Sequence, residues 1–173
     1  MATTTYIPVE QYLHSTYEPD AEYVDGEIQE RSVGEFDHSA WQSEIVVFFS
    51  MHRQEWNVRA FTELRVQVAP SRFRVPDVTI LENTSPLREM EQIIRTPPIA
   101  VFEILSPEDT IARTMVKLED YEKMGIQTIL VVDPKGPKYR YEHGSLELLD
   151  KATLELAGSK CMVDFGEIEK LLE

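Results

Sequence analysis

The sequence is short of several things at once, and each shortage removes a class of protein. It has one cysteine, Cys161. No intramolecular disulfide can form, and no cysteine-based metal site can assemble within one chain. A reducing cytoplasm suits that usage. No apolar run approaches the roughly 20 residues that cross a bilayer, so no membrane partner is expected. The N-terminal Met-Ala-Thr-Thr-Thr-Tyr-Ile-Pro lacks a basic segment followed by an apolar one, so no signal peptide is expected. There is no Gly-rich phosphate loop, no Gly-x-Ser-x-Gly and no His-x-x-x-His pair. His14, His52 and His143 have no ligand-like spacing and read as structural. His38 is either a polar site residue or a first-turn surface side chain.

Positive charge is also scarce. The 17 Lys and Arg stand against 31 Asp and Glu, a net charge of -14. Affinity for phosphate backbones comes from Lys and Arg displacing counterions, so this balance argues against nucleic acid as the main ligand. It leaves room for a nuclease with a local basic edge and a metal in an acidic centre.

What is present suits an ordinary globular domain. A chain of 173 residues, 42% hydrophobic and 28% charged, is long enough for a proper core. Pro8 to Tyr12 reads as a short helix. Ala21 to Arg31 reads as a hairpin turning at Asp25-Gly26. Asp37 is placed to cap a long amphipathic helix to Trp56, carried by Trp41, Ile45, Phe48, Phe49, His52 and Trp56 at helical spacing. Two strands, Val58 to Ala69 and Phe73 to Glu82, should come next, joined at Pro70-Ser71. Asn83 to Pro98 is a polar connection with a helical turn around Glu89 to Ile93. A helix over Glu108 to Met124, closed by Gly125, should link strands Ile99 to Leu105 and Ile126 to Val132 in a parallel crossover. A hairpin around Gly144, from Lys138 to Leu149, and a short C-terminal helix complete a mixed-sheet α/β domain.

The stretch Ile99-Ala100-Val101-Phe102-Glu103-Ile104-Leu105 reads as a strand buried on both faces. Glu103 is out of place there, because an ionised carboxylate is costly to bury without a partner. Either a partner satisfies it or a site uses it. Ser106 is placed to cap the next helix. Asp77, 26 residues earlier, lies where Pro76 marks an edge or a bend. If the two strands are neighbours, Asp77 and Glu103 converge and make a hard-cation site for Mg²⁺ or Mn²⁺. The competing reading is a strand end and a buried ion pair. Arg113, Lys117 and Tyr121 share one stripe of the following helix. Ile111, Met115 and Leu118 form another, the expected core face. Lys117 is thus either a cation beside two carboxylates or part of a solvated surface. Arg65, Arg72 and Arg74, in a stretch free of acids, form a local positive edge that could follow a phosphate backbone.

Taken in order, several motifs resemble the Uma2 family, also called DUF820, over about Tyr6 to Tyr141. They are Glu22-Tyr23-Val24-Asp25-Gly26-Glu27, His38, Arg74-Val75-Pro76-Asp77, Glu103-Ile104-Leu105-Ser106-Pro107-Glu108-Asp109, Lys117-Leu118-x-x-Tyr121 with Gly125-Ile126, and Val131-Val132-Asp133-Pro134. The family belongs to the PD-(D/E)XK nuclease superfamily. The resemblance implies one restriction endonuclease-like domain over 1–173, a central mixed β-sheet flanked by helices. It implies that Asp77, Glu103 and the main-chain carbonyl of Ile104 hold Mg²⁺ or Mn²⁺. The lysine expected two residues after the glutamate is replaced by Leu105, and Lys117 on the next helix takes its role. Arg113 stands where many members have an acid. DNA is the implied substrate and a homodimer the usual assembly. The acidic surface motivates an alternative, an inactive interaction module on the same fold.

Overall fold

A computed structural model describes residues 6–32 and 34–173. The elements run α1 (Val9–Leu13), β1 (Glu22–Val24), β2 (Glu27–Gln29), α2 (Phe36–Met51), α3 (Arg53–Trp56), β3 (Val58–Thr62), β4 (Arg65–Ala69), β5 (Arg72–Arg74) and β6 (Val78–Glu82). A 3-10 turn (Leu87–Glu89) precedes β7 (Ile93–Ile94), β8 (Ala100–Ile104), α4 (Ile111–Met124), β9 (Thr128–Val132), β10 (Lys138–Glu142), β11 (Ser145–Leu148), β12 (Thr153–Glu155), β13 (Met162–Asp164) and α5 (Phe165–Leu171).

Six strands form the main sheet in the order β11-β10-β9-β8-β6-β3. Only β8 and β9 pair in parallel there, joined through α4 as the sequence predicts. A second sheet, β2-β1-β5-β4-β7, lies beyond α4, and β12 and β13 form a separate pair. α2 and α5 cover one face of the main sheet, where Trp41, Ile45, Phe49 and Ile168 meet Val78, Phe102, Ile104 and Leu130. On the other face, Leu118 and Tyr121 of α4 pack with Val101, Ile129 and Val131 on one side and with Val66 of the second sheet. A third cluster, Tyr12, Tyr23 and Phe73, closes the second sheet against α1.

The structure corrects several boundaries. Each of the two strands expected over 58–82 is broken, and its halves enter different sheets. The first breaks at Glu63, which has a left-handed φ of 55°. The second breaks at Val75-Pro76-Asp77, since Pro76 has no N–H for a ladder. The Val75 amide donates instead to a side chain, Glu22 Oε1, at 3.0 Å. The long helix interrupts at His52, and its cap position is Glu35, with Asp37 inside the first turn. α4 starts at Ile111, not Glu108, because Thr110 is the cap and accepts from the Arg113 amide. Ser106 caps nothing; its amide and hydroxyl both donate to Asp109 in a tight turn. The turn predicted at Glu89 to Ile93 is displaced to Leu87–Glu89, and Ile93–Ile94 is a strand. Gly125 ends α4 with φ +100°, the backbone that a glycine accepts without strain.

Candidate active site

The site lies where the main sheet, the second sheet and α4 meet. β6 and β8 are antiparallel, with Val78 opposite Phe102, so Asp77 is set beside Glu103. Asp77 Oδ2 accepts the Ile104 main-chain N–H at 2.7 Å, which fixes the carboxylate against the end of β8. Arg31, on the loop after β2, reaches Asp77 Oδ1 at 2.8 Å. His38, in the first turn of α2, places Nε2 3.2 Å from Oδ2. Burial alone would raise the Asp77 carboxyl; His38, Lys117 and Arg31 outweigh it and hold the group below its ordinary range. Burial would likewise lower His38, but Asp77 beside it raises the imidazole overall.

Glu103 answers to α4. Tyr121 donates its hydroxyl to Oε1 at 2.6 Å, and Lys117 Nζ donates to Oε2 at 2.7 Å. Its carboxyl is pushed up to about 7, first by burial and then by the Asp77 and Glu22 charges, against the pull of Lys117. The predicted core face of α4 needs correcting. Leu118 is fully buried with Met115 packed against the same core, as expected, but Ile111, the first residue of α4, is 81% exposed. Tyr121 is fully buried as well, so the stripe of Lys117 and Tyr121 also turns inward. Lys117 therefore reaches the carboxylate pair from the helix. Leu105 is half-buried and packs into the core on the α4 side.

Two residues of the site escaped the sequence reading. Glu22 of β1 is buried, 2.9 Å from Lys117 Nζ through Oε1 and 2.9 Å from the Arg74 guanidinium through Oε2. Arg31 is the second, clamped between Asp77 and Glu63. The motif quoted around Asp25-Gly26 contains Glu22, but only a fold brings it to Lys117. Ser32, Ser106, Asp109, Arg113 and Thr114 line the mouth of the cleft, where Arg113 donates to the Glu30 carbonyl at 2.5 Å.

The expected positive edge is not free. Arg74 is 2% exposed and spends its guanidinium on Glu22 and Asp120. Arg72 bridges Asp25 and Asp120. Arg65 grips Asp20 and lies over the Tyr12 ring, 4.4 Å from its centroid. Their acids come from distant segments, which is why a local count of charges misread them.

The donors of the carboxylate pair fit a hard cation. Asp77 Oδ1 and both Glu103 oxygens each carry one hydrogen bond, which leaves lone pairs for a ligand. Among the described residues, no three His, Cys, Asp or Glu side chains converge on one point. Two carboxylates, with the adjoining Ile104 backbone, are the available set.

The fold and the sequence agree on a class. The chain belongs to the Uma2 family, whose model, described as "Putative restriction endonuclease", matches residues 9–147. A crystal structure described as "a putative nuclease belonging to DUF820" from Anabaena variabilis ATCC 29413 superposes with a TM-score of 0.79. It is 24% identical and covers 96% of this chain and 99% of its own, so the two share the fold. A DrdV–DNA complex is 14% identical over 74% of this chain and 10% of its own; its TM-score of 0.40 carries no argument. No curated protein matches the chain. Among the described residues, no helix is long and apolar enough to cross a membrane.

Proposed function

We propose that the cleft is the active site of a metal-dependent endonuclease that hydrolyses phosphodiester bonds of DNA in the cytoplasm. The observation that carries this reading is the juxtaposition of Asp77 and Glu103 with Lys117 on the second acid. Asp77, Glu103 and the Ile104 carbonyl would hold Mg²⁺ or Mn²⁺. Bound there, the ion supplies Lewis acidity toward a phosphate oxygen and lowers the pKa of an attacking water. Lys117 presents an ammonium to the charge that develops on the phosphate oxygens. Tyr121 holds Glu103 from behind, His38 and Arg31 orient Asp77, and Arg113 stands at the entrance as a cation for the substrate backbone. With Arg65, Arg72 and Arg74 engaged internally and a net charge of -14, DNA binding should be weak and steeply salt-dependent, and a homodimer would double the contacts.

The test is cleavage of single- and double-stranded DNA by the full chain with Mn²⁺. Asp77→Ala and Glu103→Gln should abolish it. Intact DNA with wild type and variants alike would overturn the proposal.

A second reading, an inactive interaction module, draws on one observation. Lys117 Nζ already donates to Glu103 and to the Val75 carbonyl and pairs with Glu22 Oε1 at 2.9 Å. A Mn²⁺-dependent rise in melting temperature that is lost in Asp77→Ala separates the two, because the module predicts no rise.

A further inference from the structure

Lys117 is held by three acceptors, and they are not equivalent. Glu103 is backed by one donor, the Tyr121 hydroxyl. Glu22 is backed by two: Oε1 accepts the Val75 amide at 3.0 Å, and Oε2 accepts Arg74 at 2.9 Å. Arg74 is fixed in turn by Asp120, whose Oδ2 takes Nε at 2.7 Å and lies 2.6 Å from NH2. Asp120 is on α4 itself, one turn of helix past Lys117. The ion pairs thus form a closed loop from α4 through β5 and β1 back to α4. Glu22 lines the cleft beside Lys117, and Arg74 and Asp120, which do not line it, close the loop. Burial makes each link strong and each missing partner costly.

We propose that Glu22, clamped by Arg74 and the Val75 amide, is the positioning residue for Lys117, keeping its ammonium at the cleft when Glu103 turns to another cation. The inference rests on the reading of Lys117 as an acting group. Glu22 keeps its ion pair and the Val75 carbonyl its hydrogen bond, and the N–H released by Glu103 is free for the substrate. Glu103 can rearrange while the lysine stays in place.

Glutamine substitutions separate the two carboxylates. In Glu103→Gln the new side chain can accept from Lys117 through its oxygen and donate its amide to Tyr121, whose hydroxyl turns round to accept. In Glu22→Gln the surroundings cannot be satisfied. Lys117 and Val75 need an acceptor on one side and Arg74 needs one on the other, so an amide NH₂ must face a donor.

The experiment is amine acylation of the full chain by acetic anhydride without metal, read by peptide mass spectrometry, with exposed Lys151 as the internal reference. Glu22→Gln should raise Lys117 labelling about tenfold, the scale of a lost hydrogen bond to a charge. Equal labelling in wild type and Glu22→Gln overturns the proposal. In parallel, Glu22→Gln should lower kcat for DNA cleavage about tenfold with KM within about twofold; a change confined to KM overturns the positioning role. If Glu22→Gln does not fold, Glu22→Asp, which shortens the reach to Lys117 and keeps the charge, should raise labelling and lower kcat in the same direction, and wild-type values for both would overturn the proposal. Labelling that responds to Glu22 while Lys117→Met cleaves normally would strike down the role of Lys117 and leave the Glu22 contact standing.

Discussion

Replacing Glu103 with glutamine should stabilise the metal-free protein in alkaline buffer and leave it nearly unchanged in acid. Glu103 is 7% exposed, and its carboxyl is raised from 4.5 to about 7. Between those values the folded chain keeps a proton that the unfolded chain has released. Stability therefore falls as pH rises through that window, and the penalty is complete above pH 7. At about 1.4 kcal/mol per pH unit, the gap amounts to about 3 kcal/mol. The glutamine has no proton to lose and keeps both neighbours, so it avoids that penalty. Asp77 and Glu22 act in the opposite sense. Both are held below their ordinary range, so their contribution is lost in acid, as pH falls through their folded values. They are present in both proteins and cancel in the comparison. The assay is urea denaturation in a chelating buffer at pH 5 and pH 8. The variant should match wild type within about 1 kcal/mol at pH 5 and exceed it by about 3 kcal/mol at pH 8. In a thermal melt at pH 8 the difference becomes a rise of about 6–12 °C. Parallel pH profiles, or a variant that loses stability at pH 8, would refute the reasoning.

Two other outcomes rest on named contacts. In the proposed metal site Arg31 would compete with the cation for Asp77 Oδ1, so Arg31→Met should shift the midpoint of a Mn²⁺ thermal-shift titration about tenfold lower in concentration, and an unmoved midpoint counts against that competition. Arg74→Met takes the guanidinium shared by Glu22 and Asp120 out of the interior, leaving them only Lys117 and Arg72 as counter-charges, and should cost about 3–5 kcal/mol by urea denaturation, whereas Arg72→Met at the wetter rim should cost about 1 kcal/mol or less; similar costs for both would contradict the burial argument.

Much of the site was legible because strands announce themselves by pattern. A carboxylate inside an apolar run, and an aspartate after a strand proline, are local irregularities. Antiparallel pairing of β6 with β8 then brings them together. Glu22 gave no such signal. It flanks a hairpin, as exposed acids do, and its partner Arg74 is 52 residues away. The three arginines misled for the same reason: their counter-charges come from Asp20, Glu22, Asp25 and Asp120. The split of two long strands was half visible. Pro76 marked a bend, but the passage into another sheet needs α4 as a wedge, and no local pattern encodes that. Ile111 obeyed helical periodicity and was still exposed, because periodicity gives a face and not the extent of what that face covers.

The break at Val75 has a bearing on descent. In an unbroken strand the Val75 N–H and C=O would be satisfied by a neighbouring strand. Here they are satisfied by Glu22 and Lys117. Removing either side chain thus leaves a buried main-chain group without its partner, as well as altering the cleft. Stability alone is enough to select for both residues. A lineage that stopped cutting DNA would go on inheriting them, and the set would outlive the reaction.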